Sequence, residues 1–141
     1  QLYSRMLAKL VTRETTPEWL FDQVRARALD LPEAEETTSH GSPAWRVKGG
    51  KYFAYFTKQY HGEPYIALLA KTSGPDEMAN LVETYPEAYF RPAYYGASGW
   101  VGVILNRPGL DWDTVAEWLE RSWRAVAPKR LTRLMDVADG F

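Results

Sequence analysis

The residues best suited to chemistry follow one another in a single stretch in the first half of the chain. His40 stands before a Gly41-Ser42-Pro43 corner, and a short basic strand with Arg46 and Lys48 comes next. Lys51 then follows a Gly-Gly turn. Because side chains two residues apart on a strand share one face, Arg46 and Lys48 are expected on the same side of the hairpin. Positive charges at a hairpin tip are suited to contacting DNA phosphates, which carry no sequence information.

A second concentration of positive charge lies between Arg121 and Met135, where there are five Lys or Arg residues and no Asp or Glu. The formal net charge of the chain is −1, which argues against generic nucleic-acid binding. The acidic residues concentrate elsewhere, however, so a nearly neutral chain can still carry a one-sided field. The alternative is a solvated surface on which both signs are mixed. The first interpretation predicts contacts with double-stranded DNA from Arg46, Lys48, Lys51, Lys129 and Arg130.

A second candidate site combines Arg91 with two neighbouring tyrosines, Tyr94 and Tyr95. A tyrosine pair beside an arginine can stack on bases or hold a small anion. Alternatively, Arg91 forms a surface ion pair and the tyrosines pack on the sheet. His40 is likewise either a structural histidine that pins the corner or a donor to an anionic ligand. The alternative function is therefore a small anionic ligand- or protein-binding module, whose pocket is expected near His40, Lys51, Arg91, Tyr94 and Trp100.

Enzymatic chemistry finds little support in the sequence. There is no cysteine and there are two histidines, His40 and His61, which excludes thiolate chemistry and disfavours a His-rich metal centre. Ser39 and His40 are adjacent on a predicted strand and point to opposite faces, and no nucleophile-elbow pattern is present. Gly49-Gly50-Lys51 has neither the loop length nor the following helix of a phosphate-binding loop. We therefore expect a non-enzymatic protein without catalytic residue, metal or cofactor.

Length and composition favour one globular domain. The chain has 141 residues, of which 45% are hydrophobic and 25% charged, as in ordinary soluble domains. No apolar run approaches the roughly 20 residues that span a bilayer. Charged residues interrupt the apolar pattern near the N-terminus, so no signal peptide is expected. These features predict a cytoplasmic monomer in which residues 1–15 are an N-terminal extension and residues 16–141 form the domain.

Amphipathic helices bracket a series of predicted strands. The helices are expected over residues 17–31, 75–85 and 112–126, with Thr16, Ser73 and Asp111 as N-caps. The strands are expected over residues 36–40, 45–48, 51–59, 65–71, 89–91 and 100–106, and a short basic tail begins at Lys129. Strands joined by tight turns pair antiparallel, and apolar helix stripes must be buried against a sheet. The expected fold class is α+β, with helices packed on one face of an antiparallel sheet.

The same residues carry a resemblance to the MmcQ/YjbR family over roughly residues 17–133. The family's landmarks match at His40, Gly41 and Pro43, at Lys51 and Phe53, at Tyr94 or Tyr95 and Trp100, and at Pro128 through Leu131. The resemblance implies a small bacterial protein with a fold similar to that of the bacterial frataxins. It also implies wing-like hairpins, which have been proposed to bind DNA in this family.

Overall fold

The computed structural model describes residues 2–6, 16–58 and 64–140. Its α-helices are α1 (Pro17–Leu29), α2 (Pro75–Thr84), α3 (Trp112–Val126) and α4 (Lys129–Ala138), and residues 2–6 are also helical. Its strands are β1 (Ala34–Ser39), β2 (Ser42–Val47), β3 (Tyr52–Lys58), β4 (Ile66–Lys71), β5 (Tyr89–Phe90) and β6 (Trp100–Ile104). A short 3-10 helix spans Gly96–Ser98, in the loop between β5 and β6.

The six described strands form one sheet in the order β1-β2-β3-β4-β6-β5. Every neighbouring pair is antiparallel. In the centre, β3 and β4 pair from Ala54 opposite Ala70 to Lys58 opposite Ile66. The predicted α+β class with an antiparallel sheet is confirmed.

The α-helices pack on one face of this sheet and bury the main core there. Because pleating sends alternate residues to opposite faces, Leu68 and Ala70 of β4 join this core whereas Leu69 does not. Val24 of α1 and Leu119 of α3 belong to the same cluster and are fully buried. Three buried tryptophans complete it, and each indole N–H has an acceptor: the Glu36 carboxylate for Trp45, the Tyr89 hydroxyl for Trp118 and the Pro32 carbonyl for Trp123.

The strand β3 contains a β-bulge at Phe53, where its pairing with β2 shifts by one residue. Trp45 lies opposite Ala54 but Arg46 lies opposite Tyr52, so Phe53 has no partner residue on β2. The fully buried Ser122 of α3 satisfies the backbone at this irregularity. Its hydroxyl donates to the Phe53 carbonyl and accepts the Lys71 N–H at 3.0 Å. One helix side chain therefore holds the ends of β3 and β4 at a fixed spacing.

Replacing Ser122 with alanine should therefore destabilise the protein without changing its fold. The substitution removes this partner from the buried Phe53 carbonyl and from the half-buried Lys71 N–H, and each such loss costs about 1–3 kcal/mol. We expect a loss of about 3 kcal/mol in the free energy of unfolding, measured by urea denaturation. Ser98→Ala, at an exposed serine of the 3-10 helix, is the control and should change stability by less than about 0.5 kcal/mol. An equal effect of both substitutions would contradict the role assigned to Ser122.

Several predicted boundaries were wrong. The first strand ends at Ser39 instead of continuing through His40, which lies in the turn. The N-cap of α2 is Gly74 and not Ser73, whose N–H instead donates a hydrogen bond to the Glu77 carboxylate. The segment from Lys129 is not a tail but a ten-residue helix, so the described residues hold more than the three expected helices. Leu131 buries this helix against the core.

Candidate nucleic-acid interface

Two of the predicted lysines lie at the tip of the β2–β3 hairpin. Lys48 and Lys51 flank Gly49 and Gly50 and are exposed. Gly49 has a φ of +71°, a conformation that side chains disfavour, and the Gly50 N–H donates to the Val47 carbonyl at 2.7 Å. The tight turn thus projects both lysines beyond the end of the sheet.

Glu33 joins this tip to the start of α4. The Lys48 N–H donates to the Glu33 carbonyl at 2.8 Å, and the Arg130 guanidinium makes two hydrogen bonds to the Glu33 carboxylate, at 2.7 and 3.0 Å. Glu33 itself has a φ of +54°, which is uncommon for a residue other than glycine. The hydrogen bonds from Arg130 lower the pKa of Glu33, so this carboxylate is charged at neutral pH. The hairpin tip and the α4 N-terminus therefore meet at one end of the sheet.

We name this surface the basic end and define it by Arg46, Lys48, Lys51, Lys129 and Arg130. Its two arginines are both engaged with carboxylates. Arg130 pairs with Glu33, and the Arg46 Nε lies 2.6 Å from the Glu35 carboxylate. The three lysines are exposed and form no ion pair with a carboxylate of the described residues. The free positive charge of this end is therefore carried by lysine side chains.

His40 lies at the opposite end of β2 from the basic end. Ser39 pairs with Ser42, so His40 and Gly41 are the two central residues of the β1–β2 hairpin turn, and their φ angles are +50° and +79°. Positive φ at both positions is what a type I′ turn requires. The six residues of β2 separate this turn from the Lys48–Lys51 turn, by about 20 Å at 3.3 Å per residue. His40 and Lys51 thus share no pocket.

A groove of about 370 Å³ lies beside the His40 turn, between that turn and the start of α1. Rings of Phe21 and Phe56 contribute to its walls, and Glu18 and Lys58 bring one charge of each sign. Its other lining residues are Pro17, Gly41, Ser42 and Pro43. His40 is not among the residues that line it. Because its charges are balanced, this groove does not favour an anionic ligand.

The sheet face opposite the main helices carries a second, aromatic cluster. We name it the aromatic face and define it by Tyr52, Tyr55, Tyr95 and Trp100. Tyr55 and Trp100 are mostly buried, whereas Tyr52 and Tyr95 are half-buried. Burial, with the neighbouring Tyr95 hydroxyl, raises the pKa of Tyr55 to about 12, so its phenol is neutral at physiological pH. Lys71 lies over the Trp100 ring at 5.8 Å.

The loop from 91 to 99 covers one edge of the aromatic face. Arg91 is exposed, and its aliphatic stem packs so closely on Gly96 that a Cβ there would lie 2.7 Å from the Arg91 Cγ. Tyr94 is 84% exposed and has a φ of +67°. Of the predicted pocket residues, Arg91, Tyr94 and Trp100 therefore lie in one region, and His40 lies at the far end of β2. His61 lies outside the described residues.

Sequence reasoning missed the acidic partners and part of the aromatic face. The position of Glu33 directly after Pro32 and before a strand gave no signal of its contact with Arg130, 97 residues later. Glu35 was detectable in principle, because cross-strand pairing places it opposite Arg46. Tyr52 and Tyr55 were visible as aromatic residues, but a bulge at Phe53 was needed to bring them to the same face.

The described part of the chain contains neither a cluster of metal-ligating side chains nor a helix that could span a membrane. In residues 2–6, 16–58 and 64–140, no three His, Cys, Asp or Glu side chains are grouped so that they could hold a metal ion. Within the same residues, no helix combines the length and the apolarity required to cross a bilayer. The expected absence of metals and cofactors stays a prediction.

A family model identifies the family of this chain, and a solved structure shares its fold. The family model named YjbR matches residues 29–125, which is more than half of the chain, and the protein belongs to the YjbR family. A structural relative is the crystal structure of Deinococcus radiodurans protein DR2400, described by the domain family DUF419. The two chains share 19% identity with a TM-score of 0.58, over 77% of this chain and 79% of the other. No curated protein has detectable sequence similarity to this chain.

Proposed function

We propose that this YjbR-family protein is a non-enzymatic, cytoplasmic nucleic-acid-binding module that acts through its basic end. The observation that supports the proposal most is the junction at Glu33. Through it, residues that are about 80 positions apart in sequence, Lys48 and Lys129, are brought to the same end of the molecule. Lysines grouped in this way neutralise successive phosphates without reading bases, as expected for a weakly selective binder.

The start of α4 adds a second reason to expect an anionic partner. Lys129 and Arg130 occupy the first turn of α4, and the N-cap Pro128 provides no side-chain hydrogen bond. Cations at a helix N-terminus are unfavourable for helix stability, because the helix dipole is positive there. A phosphate group bound at this position would be attracted by the dipole, by the free N–H groups and by the lysine. Binding of an anion would therefore explain why Lys129 and Arg130 occupy a position where their charges disfavour the helix.

The ion pairs at the basic end limit the number of phosphates that it is expected to neutralise. With Arg46 and Arg130 already paired to Glu35 and Glu33, about three lysines remain to displace counterions from duplex DNA. The slope of log affinity against log salt is about −0.9 for each neutralised phosphate, which gives about −3. A pocket for a small anion or a protein is less well supported, because His40 lies far from Lys51, Arg91 and Trp100.

A salt titration tests the proposal. Binding to a fluorescently labelled duplex is measured by anisotropy from about 50 mM salt upward, with an expected slope of about −3. Lys51→Ala should reduce the magnitude of the slope by about 1. Lys58→Ala is the matched control, since Lys58 is an exposed lysine at the end of β3 that is farther from the Lys48–Lys51 turn, and its replacement should leave the slope unchanged. Absence of wild-type binding at about 50 mM salt, both to this duplex and to a labelled single strand, would overturn the proposal.

We expect Glu33 to lower the affinity for nucleic acid, because its carboxylate neutralises Arg130. Glu33→Gln removes the charge that neutralises Arg130 and frees the guanidinium for a further phosphate. We expect affinity for duplex DNA to rise by about three- to tenfold at 50 mM salt and the slope to steepen by about 1. Stability should change little, because the Glu33–Arg130 pair is exposed.

The matched control for this prediction is Glu87→Gln. It makes the same change of charge at an exposed residue of the loop before β5, outside the basic end. If both substitutions raise affinity equally, net charge alone explains the gain and the role assigned to Glu33 is wrong.

A further inference from the structure

The aromatic face forms a continuous line of rings beside the basic end. Ring centroids lie 5.5 Å apart between Tyr52 and Tyr55, 5.2 Å between Tyr55 and Tyr95, and 5.8 Å between Tyr95 and Trp100. No residue of a described α-helix belongs to this cluster. The half-buried rings of Tyr52 and Tyr95 thus retain accessible surface on a sheet face that the helices leave to the aromatic residues.

Tyr94 directly precedes Tyr95 of the aromatic face in the sequence. Its side chain is 84% exposed, and its φ of +67° is costly for a bulky residue. The loop around it is fixed by hydrogen bonds from the Tyr95 N–H to the Ala93 carbonyl and from the Gly96 N–H to the Pro92 carbonyl, both at 2.8 Å. The chain therefore holds a large and mostly exposed aromatic side chain in an uncommon backbone conformation, directly before Tyr95. Strain of this kind is retained where the surrounding structure enforces it, often at binding sites.

Cations border the rings. The Arg46 guanidinium lies 5.8 Å from the Tyr52 ring centroid, and the Lys71 ammonium lies 5.8 Å from that of Trp100. Tyr52 also follows Lys51 directly, so the aromatic face continues from the basic end without a gap. A ligand that matches this surface carries flat aromatic groups and repeated negative charges. Those two properties together describe a nucleic-acid strand whose bases are accessible.

We propose that the aromatic face is a stacking platform for the bases of single-stranded nucleic acid, whose phosphates continue onto the lysines of the basic end. This inference rests on the proposed function and specifies its ligand. In a duplex, the flat faces of the bases are covered by their neighbours, so rings on a protein surface reach them only in single strands. The phenol of Tyr55 is neutral and adds no repulsion to the backbone. The protein should therefore prefer single strands to a duplex of equal charge.

The test compares a labelled 15-nucleotide oligothymidine with a labelled duplex at about 50 mM salt, for the wild type and three variants. Tyr94→Ala should weaken single-strand binding by about fivefold or more and leave duplex binding within twofold. Tyr94→Phe keeps the ring and should bind as the wild type does. Tyr85→Ala removes a half-exposed tyrosine near α2, away from the aromatic face, and should change neither affinity. Because Tyr94 is so exposed, its replacement is not expected to unfold the protein, which circular dichroism will verify.

The outcomes separate this inference from the proposed function. Single-strand preference that is lost in Tyr94→Ala and kept in Tyr94→Phe supports the platform. Equal affinity for both nucleic acids, or a loss in Tyr94→Ala that is the same for both, overturns the platform and leaves binding by the basic end intact. Absence of binding to either nucleic acid at 50 mM salt overturns the proposed function, and the platform with it.

Discussion

Changing Lys48, Lys51 and Lys129 together to glutamate is expected to weaken nucleic-acid binding by about two orders of magnitude or more at low salt. The substitutions remove about three phosphate contacts and replace attraction with repulsion at the same end of the sheet. The negative charges of Glu33 and Glu35, which lie at this end, would then add to those of the new glutamates instead of being balanced by lysines. The measurement is fluorescence anisotropy with both a single strand and a duplex at about 50 mM salt.

The fold should survive this triple substitution, because all three side chains are exposed and contribute little to stability. Thermal melting followed by circular dichroism checks that point. The matched control is Lys58→Glu, a charge reversal at the far end of β3, for which we expect a change of less than about threefold. If the triple variant binds as tightly as the control does, the basic end is not the binding surface.

A large effect on stability is also expected at Gly102, in the centre of β6. Gly102 lies opposite Phe90 of β5, and an added Cβ would be 2.2 Å from the nearest ring carbon of Phe90. Since atoms cannot approach so closely, either the ring or the edge strand must move. Overpacking of a buried site costs about 1–3 kcal/mol and sometimes more, so we expect Gly102→Ala to lower the free energy of unfolding by about 3 kcal/mol, measured in urea.

The double variant Gly102→Ala/Phe90→Leu provides the control. The smaller leucine side chain relieves the clash, so the double variant should be at least about 1 kcal/mol more stable than the sum of the two single effects predicts. Additive effects, or a loss below about 0.5 kcal/mol for Gly102→Ala alone, would contradict the close packing of Phe90 on Gly102.

Local signals predicted the elements well where a single segment determined them. The bounds of α3 and its Asp111 cap were predicted correctly, because a polar cap and a stripe at three- and four-residue spacing occur together there. The Gly-Gly turn was also predicted correctly. By contrast, α4 was missed, although Leu131 and Met135 have helical spacing, because its basic first turn disfavours a helix.

Features that depend on contacts between distant segments could not be predicted from the sequence. Four of the predicted basic residues are exposed and Arg46 is half-buried, but the pairing of Arg130 with Glu33 and of Arg46 with Glu35 follows from tertiary contacts and strand register. The separation of His40 from Lys51 follows from a hairpin turn whose two central residues include His40 itself. Without the topology, His40, Lys51 and Trp100 were simply the residues with suitable chemistry.

Binding of nucleic acid at the basic end can be mapped on the surface of the protein in solution. Nitrogen-15-labelled protein is titrated with unlabelled oligothymidine at about 50 mM salt, and amide chemical shifts are followed by NMR. The largest shifts are expected at residues 48–51 and 129–131, with further shifts at residues 94–96 and little change in the turn at residues 39–42. Shifts concentrated at that turn and the groove beside α1, with none at the basic end, would contradict this expectation.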